Sequence, residues 1–69
     1  GDFVKELQEY LNIAADKYPS IGKLKVDGIF GPKTKAAVIE FQKLNDLTPD
    51  GIVGTNTWEV LSKWYLFVD

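Results

Sequence analysis

The 69-residue chain predicts an all-α fold, a small three-helix orthogonal bundle. Three observations lead there. The phrase Asp27-Gly28-Ile29-Phe30-Gly31-Pro32-Lys33-Thr34 returns as Asp50-Gly51-Ile52-Val53-Gly54-Thr55-Asn56-Thr57, beginning 23 positions after Asp27 and keeping Asp, Gly, Ile, Gly and Thr in the same places. Repetition at a fixed offset marks one supersecondary unit used twice. Each copy runs into apolar residues at helical spacing, and the N-terminal stretch shows that spacing too. The expectation is three helices, with similar Asp-Gly-x-x-Gly loops before the second and third. Residues 1–69 are expected to form one domain.

The first helix is expected over residues 3 to about 15, where Val4, Leu7, Leu11 and Ala14 or Ala15 recur at intervals of three and four. Asp2 is placed to cap its N-terminus. Residues 16 to 26 change character. Pro19, Ser20 and Gly22 break the pattern, while Tyr18, Ile21, Leu24 and Val26 remain apolar, as in an ordered connection that lays a few side chains on the core. The second helix should start at Pro32, because a proline loses no hydrogen bond in the first helical turn. Gly31 then takes the N-cap place. Ala37, Val38, Phe41 and Leu44 form the inward stripe, and Asn45 or Asp46 ends the helix. Thr48-Pro49-Asp50-Gly51 reads as a turn. The third helix begins near Thr55 and turns Trp58, Leu61 and Trp64 or Tyr65 inward. At the repeat offset Ala37 falls on Val60, Val38 on Leu61 and Phe41 on Trp64, so loop and helix repeat as a unit. Trp64 to Val68 is apolar for a terminus, and reads either as a helix end covering the core or as a seam to a neighbouring domain.

Within each loop, Asp-Gly is a turn pair whose glycine accepts positive φ at no steric cost. Ile29 and Ile52 should point inward, and the second glycine should let the chain bend into its helix. Asp27 and Asp50 lie just before helix N-termini, where free N–H groups favour an anion, and each could also accept from the hydroxyl of Thr34 or Thr57. Gln8 and Gln42 sit beside core positions and should hydrogen-bond loop backbone, since buried polar groups need partners.

Composition excludes several functions. There is no cysteine and no histidine, so no disulfide, no thiolate, no zinc–imidazole site and no Ser-His-Asp or Cys-His device. The expectation is no metal and no cofactor. Net charge is −2 and the sequence pI is about 4.9, unlike the basic footprint of a nucleic-acid binder; Lys23, Lys25, Lys33, Lys35 and Lys43 gather mid-chain but are interleaved with acids. No apolar run approaches the ~20 residues of a membrane span. The repeated loop is neither an EF-hand, because positions 3, 5 and 12 counted from Asp27 are Ile29, Gly31 and Val38, nor a Walker loop. The chain opens directly on a helical pattern, as a module excised from a larger protein would.

At these residues the chain resembles the peptidoglycan-binding domain family, the three-helix module attached to bacterial cell-wall enzymes. The pattern is carried by Val4-x-x-Leu7-Gln8-x-x-Leu11, by Val26-Asp27-Gly28-x-Phe30-Gly31-x-x-Thr34 and by Ala37-Val38-x-x-Phe41-Gln42. It continues in Leu47-x-x-Asp50-Gly51-Ile52-Val53-Gly54-x-x-Thr57-Trp58-x-x-Leu61. The match covers residues 3 to 62. Residues 12 to 25 depart from it, being longer than the short Gly-aromatic turn of many members. Matrix metalloproteinase propeptides share the fold but carry an inhibitory cysteine, which this chain lacks. The resemblance implies a non-catalytic, monomeric module that holds a wall hydrolase on peptidoglycan, outside the cell in the bacterial wall or spore cortex. Its partners would be the glycan strand, the stem peptide and the attached hydrolase domain, with no nucleic acid and no membrane.

Peptidoglycan offers sugar faces, amide-rich peptides and carboxylates, and the loops carry side chains suited to each. Phe30 or Tyr18 could stack on a sugar, Lys33 could meet a carboxylate, Asn56 and Asp27 could bond polar groups, and Trp58 could contribute an edge or else pack in the core. The groove between the two loops and the Tyr18 connection is the expected site. Two other readings stand beside this one. The chain could be a hydrolase using carboxylate pairs such as Glu6 with Glu9 or Asp46 with Asp50, or a docking module that packs on its own enzyme through Trp64 to Val68.

Overall fold

A computed structural model describes residues 2–66, with side chains from 3 to 63. It contains α1 (Asp2–Lys17), a short 3-10 turn (Pro19–Ile21), α2 (Pro32–Leu44) and α3 (Thr55–Leu66), and no strand among the described residues. The helix begins at Asp2 itself, so the cap expected of that residue falls one position into α1. The expected contacts of Trp64 to Val68 lie outside the described side chains. No described helix is long and apolar enough to cross a membrane.

Each boundary has a local cause. α1 stops at Lys17 because a residue preceding proline is pushed out of the α region; Tyr18 sits at φ −117°, ψ 84°, and its N–H makes the last α-type bond, to Ala14 O. α2 opens with Pro32 in its first turn and Gly31 as N-cap, the Gly31 carbonyl accepting from Lys35 N–H at 3.0 Å. Its other end closes in a Schellman motif. Asn45 is the C-cap, Asp46 follows in the left-handed region at φ 57°, and Leu47 N–H reaches back to Gln42 O at 2.8 Å. Leu47, the residue after the left-handed position, packs against the core as that motif favours.

α1 is the central element, packing on α2, α3 and the 3-10 turn, with the turn also laid on α2. Leu7, Leu11, Ala14 and Ala15 of α1 meet Ile21, then Ala37, Val38 and Phe41 of α2 and Leu61 of α3, all buried. Tyr10, Tyr18, Leu24, Leu47, Val53, Trp58 and Val60 close the rim. Outside the repeated loops, two expected inward residues face water instead. Val26 precedes the Asp-Gly turn, and Leu44 lies off the stripe of Thr34, Ala37, Val38, Phe41 and Gln42 in the final turn of α2.

The connection between α1 and α2 is ordered by a residue that the sequence pattern passes over. The Asn12 amide clamps the backbone of Leu24 from both sides, its Nδ2 donating to Leu24 O at 2.9 Å and its Oδ1 accepting from Leu24 N–H at 2.6 Å. Lys23 adds a hydrogen bond to Asn12 O and an exposed ion pair with Asp16, which contributes little.

Candidate functional site

Both repeated loops are built around a buried glutamine on the preceding helix. Gln8 of α1 is 1% exposed and Gln42 of α2 is 0% exposed, so each amide must find partners in the protein. Gln8 Nε2 donates to Asp27 Oδ1 (3.0 Å), Ile29 O (3.1 Å) and Thr34 Oγ1 (3.1 Å), and its Oε1 accepts from the Asp27 and Gly28 N–H groups. Gln42 repeats the arrangement. Its Nε2 donates to Asp50 Oδ1 (3.2 Å), Ile52 O (3.0 Å) and Thr57 Oγ1 (3.1 Å), and its Oε1 accepts from Gly51 N–H (2.9 Å). In both loops the aspartate also accepts from the isoleucine N–H at 2.9 Å, closing an Asx turn. Two amide hydrogens shared among three acceptors fix each loop to the helix before it and, through the threonine, to the helix after it.

This geometry revises two details of the expected loop. The aspartates do not cap the helices and do not take the threonine hydroxyls directly, because the glutamine amide stands between carboxylate and hydroxyl. Ile29 and Ile52 point outward, 65% and 68% exposed, because their N–H and carbonyl groups are already turned inward to the aspartate and the glutamine. The glycine of each Asp-Gly pair takes the positive φ expected of it, Gly28 at 77° and Gly51 at 74°. Gly51 is needed for space as well, since a Cβ there would come within 2.9 Å of the Lys35 side chain. Gly31 is extended, and a Cβ would meet nothing there or at Gly54.

The Gln8 amide first, then the Ile29 N–H, hold the Asp27 carboxyl below the ordinary 3.8, with Lys25 adding a small charge effect. The Asp27 side chain is exposed.

Each loop opens onto its own shallow hollow at the start of a helix. The first, of about 440 Å³, is bounded by Asp27, Ile29 and Lys33 of the loop and by Lys23, Leu24 and Lys25 of the connection. The second, of about 420 Å³, is bounded by Asp50, Ile52, Asn56 and the turn residues Asp46 and Thr48. They share no lining residue, so the expected single groove is divided. Asp27 and Lys33 fall in the first hollow and Asn56 in the second. Tyr18 is half-buried against the core and Phe30 is 43% exposed, and neither lines these hollows. Trp58 is occupied by aromatic packing, its ring 5.1 Å from Phe3 and 5.3 Å from Tyr10. Lys23 and Lys25 were not among the expected site residues; their signal was the mid-chain lysine cluster. The described residues hold no group of acids able to bind a metal.

The fold and its paired loops define a small all-α binding module whose repeated buried polar groups are spent on shaping loops. The chain belongs to the peptidoglycan binding domain family, whose pattern matches residues 1–61; the family is a binding and not a catalytic domain. It is 53% identical over 62 residues to an uncharacterized protein of Kitasatospora aureofaciens, covering 88% of this chain and 48% of that one. It is 46% identical over 59 residues to a zinc D-Ala-D-Ala carboxypeptidase of Streptomyces albus G, covering 84% and 22%. An autolytic lysozyme of Clostridium acetobutylicum is 48% identical over 56 residues, covering 81% and 16%. The chain therefore spans less than half the length of these relatives. No solved structure matches it.

Proposed function

We propose that the domain binds peptidoglycan and thereby holds an attached wall-active enzyme on its substrate in the bacterial cell wall or spore cortex, as a monomer. The observation that carries this reading is the family membership over residues 1–61, together with relatives named as wall enzymes of different reactions, a carboxypeptidase and a lysozyme. A module that accompanies different chemistries supplies what they have in common, which is the wall. The structure supports it by offering two internally hydrogen-bonded loops with outward side chains. A single hollow of this size and exposure binds weakly, with a dissociation constant of about 10 µM to 1 mM, and the polymeric wall compensates by avidity where several modules are joined.

Co-sedimentation tests this directly. The 69-residue chain, mixed at tens of micromolar with purified sacculi, should pellet with them and release no soluble muropeptides. Protein left in the supernatant, beside a known wall binder that pellets, contradicts the proposal. Released fragments would instead revive the hydrolase reading.

A further inference from the structure

The two loops are a comparison that the molecule makes with itself. What they share is the frame: the buried glutamine, the Asx turn, the left-handed glycine and the threonine. Both hollows lie at helix starts, so the helix dipole is common to both and discriminates nothing. What they do not share is the charge of the lining. At the repeat offset Lys23 becomes Asp46, Lys25 becomes Thr48 and Lys33 becomes Asn56. The first hollow thus has three lysines beside one aspartate, and the second has two aspartates and no cation. Lys23 is already paired with Asp16, but neither Lys25 nor Lys33 lies within ion-pair distance of a carboxylate among the described residues.

The first hollow is also extended. A neighbouring hollow of about 400 Å³ between the 3-10 turn and α2 shares Lys23, Leu24 and Lys33 with it. Together they form a trough along α2 from Pro32 to Glu40, cationic in the middle. Its ends are marked by Asp27 and by Glu40, whose carboxylate accepts from Ser20 Oγ at 3.0 Å. The exposed Ile29 side chain gives one wall an apolar surface. Such a trough suits a short extended peptide with free carboxylates, amides and small apolar side chains better than it suits a neutral sugar face, for which it offers no aromatic platform.

Resting on the reading that the domain binds peptidoglycan, we infer that it recognises the stem peptide rather than the glycan, through the first loop alone, with Lys25 and Lys33 meeting peptide carboxylates. The second loop is the same frame without a site.

The test compares the wild-type chain, Lys25→Gln/Lys33→Gln and the equal-charge control Lys5→Gln/Lys43→Gln, whose lysines line none of the three hollows. Each is sedimented with intact sacculi, with sacculi stripped of anionic polymer by hydrofluoric acid, and with beads carrying immobilised glycan strands whose peptides an amidase has removed. Circular dichroism checks that all three fold. The inference expects the Lys25/Lys33 variant to bind sacculi about tenfold more weakly than wild type. The control should be unchanged, acid-stripped sacculi should bind as before, and bare glycan strands should not pellet the protein. Equal binding of bare strands, or an unaffected Lys25/Lys33 variant, overturns the inference while leaving peptidoglycan binding intact. Loss of binding on acid stripping overturns it in favour of a phosphate polymer. Failure of the wild type on every wall preparation overturns the underlying proposal instead.

Discussion

At the residue scale the most consequential side chains are two amides. A buried Gln8 or Gln42 serves three acceptors and at least one backbone N–H, so replacing it leaves several groups without partners in a place water reaches poorly. Gln8→Glu is the sharper probe than alanine, since it preserves shape while removing both donors and setting a carboxylate 3.0 Å from Asp27 Oδ1. It should lower stability by about 2–4 kcal/mol in urea denaturation, and the loss should shrink in Gln8→Glu/Asp27→Asn. Asp27 gives a pH signature. Its folded pKa lies below 3.8, so its contribution is complete above about pH 5 and is lost as pH falls through the folded value. Acid titration of wild type against Asp27→Asn should show the two stability curves converging as pH falls below 3.8 and through the depressed folded value. A third residue is suboptimal. Asp46 holds φ 57° at the left-handed position of a Schellman motif, where glycine is favoured, and Asp46→Gly should raise stability by about 0.5–1 kcal/mol in thermal unfolding.

At the scale of elements, each loop ties a glutamine-bearing helix to the helix it launches. Besides the charge of their linings, the two differ in the chain that leads in: Gln8 precedes Asp27 by 19 residues and Gln42 precedes Asp50 by 8. The extra length holds the 3-10 turn and the Asn12 clamp, which turn a long excursion into an ordered edge of the first hollow. Helix starts at Pro32 and Thr55 were legible because proline and the repeat mark them. The orientation of Ile29 and Ile52 was not, because it depends on which way the backbone dipoles of the turn face. Apolarity alone suggested inward, whereas both isoleucine peptide groups are claimed from the inside by Asp and Gln. The glutamines were legible as loop partners from their place beside the core stripe. Their bonds to the aspartate and threonine side chains were not, since sequence spacing of 19 and 8 residues gives no common signal. The Lys23–Lys25 edge was hidden for a similar reason: its lysines reach the loop only once Asn12 has folded the connection back over α1.

At the scale of the molecule, one small core joins all these parts. Phe41 is 0% exposed, at the meeting of α1 and α2, and neighbours Gln42 in sequence. Phe41→Ala should cost about 3–5 kcal/mol, most of what a domain of this size has, and leave the chain largely unfolded by circular dichroism at 25 °C. Because the loops hang from core-facing glutamines, binding should disappear with the fold in that variant, whereas changes at exposed lysines should weaken binding and spare the fold. The separation of frame from surface is what allows a repeated motif to hold two hollows of opposite charge on one scaffold.

The account is tested most directly by titrating a soluble disaccharide-peptide fragment of the wall into the isotopically labelled chain and following its backbone amides by NMR. The prediction is progressive movement of amides within residues 23–34, saturating with a dissociation constant between about 10 µM and 1 mM, while residues 46–57 stay in place. A spectrum that does not change at millimolar fragment, or changes confined to the far end of α3, would contradict it.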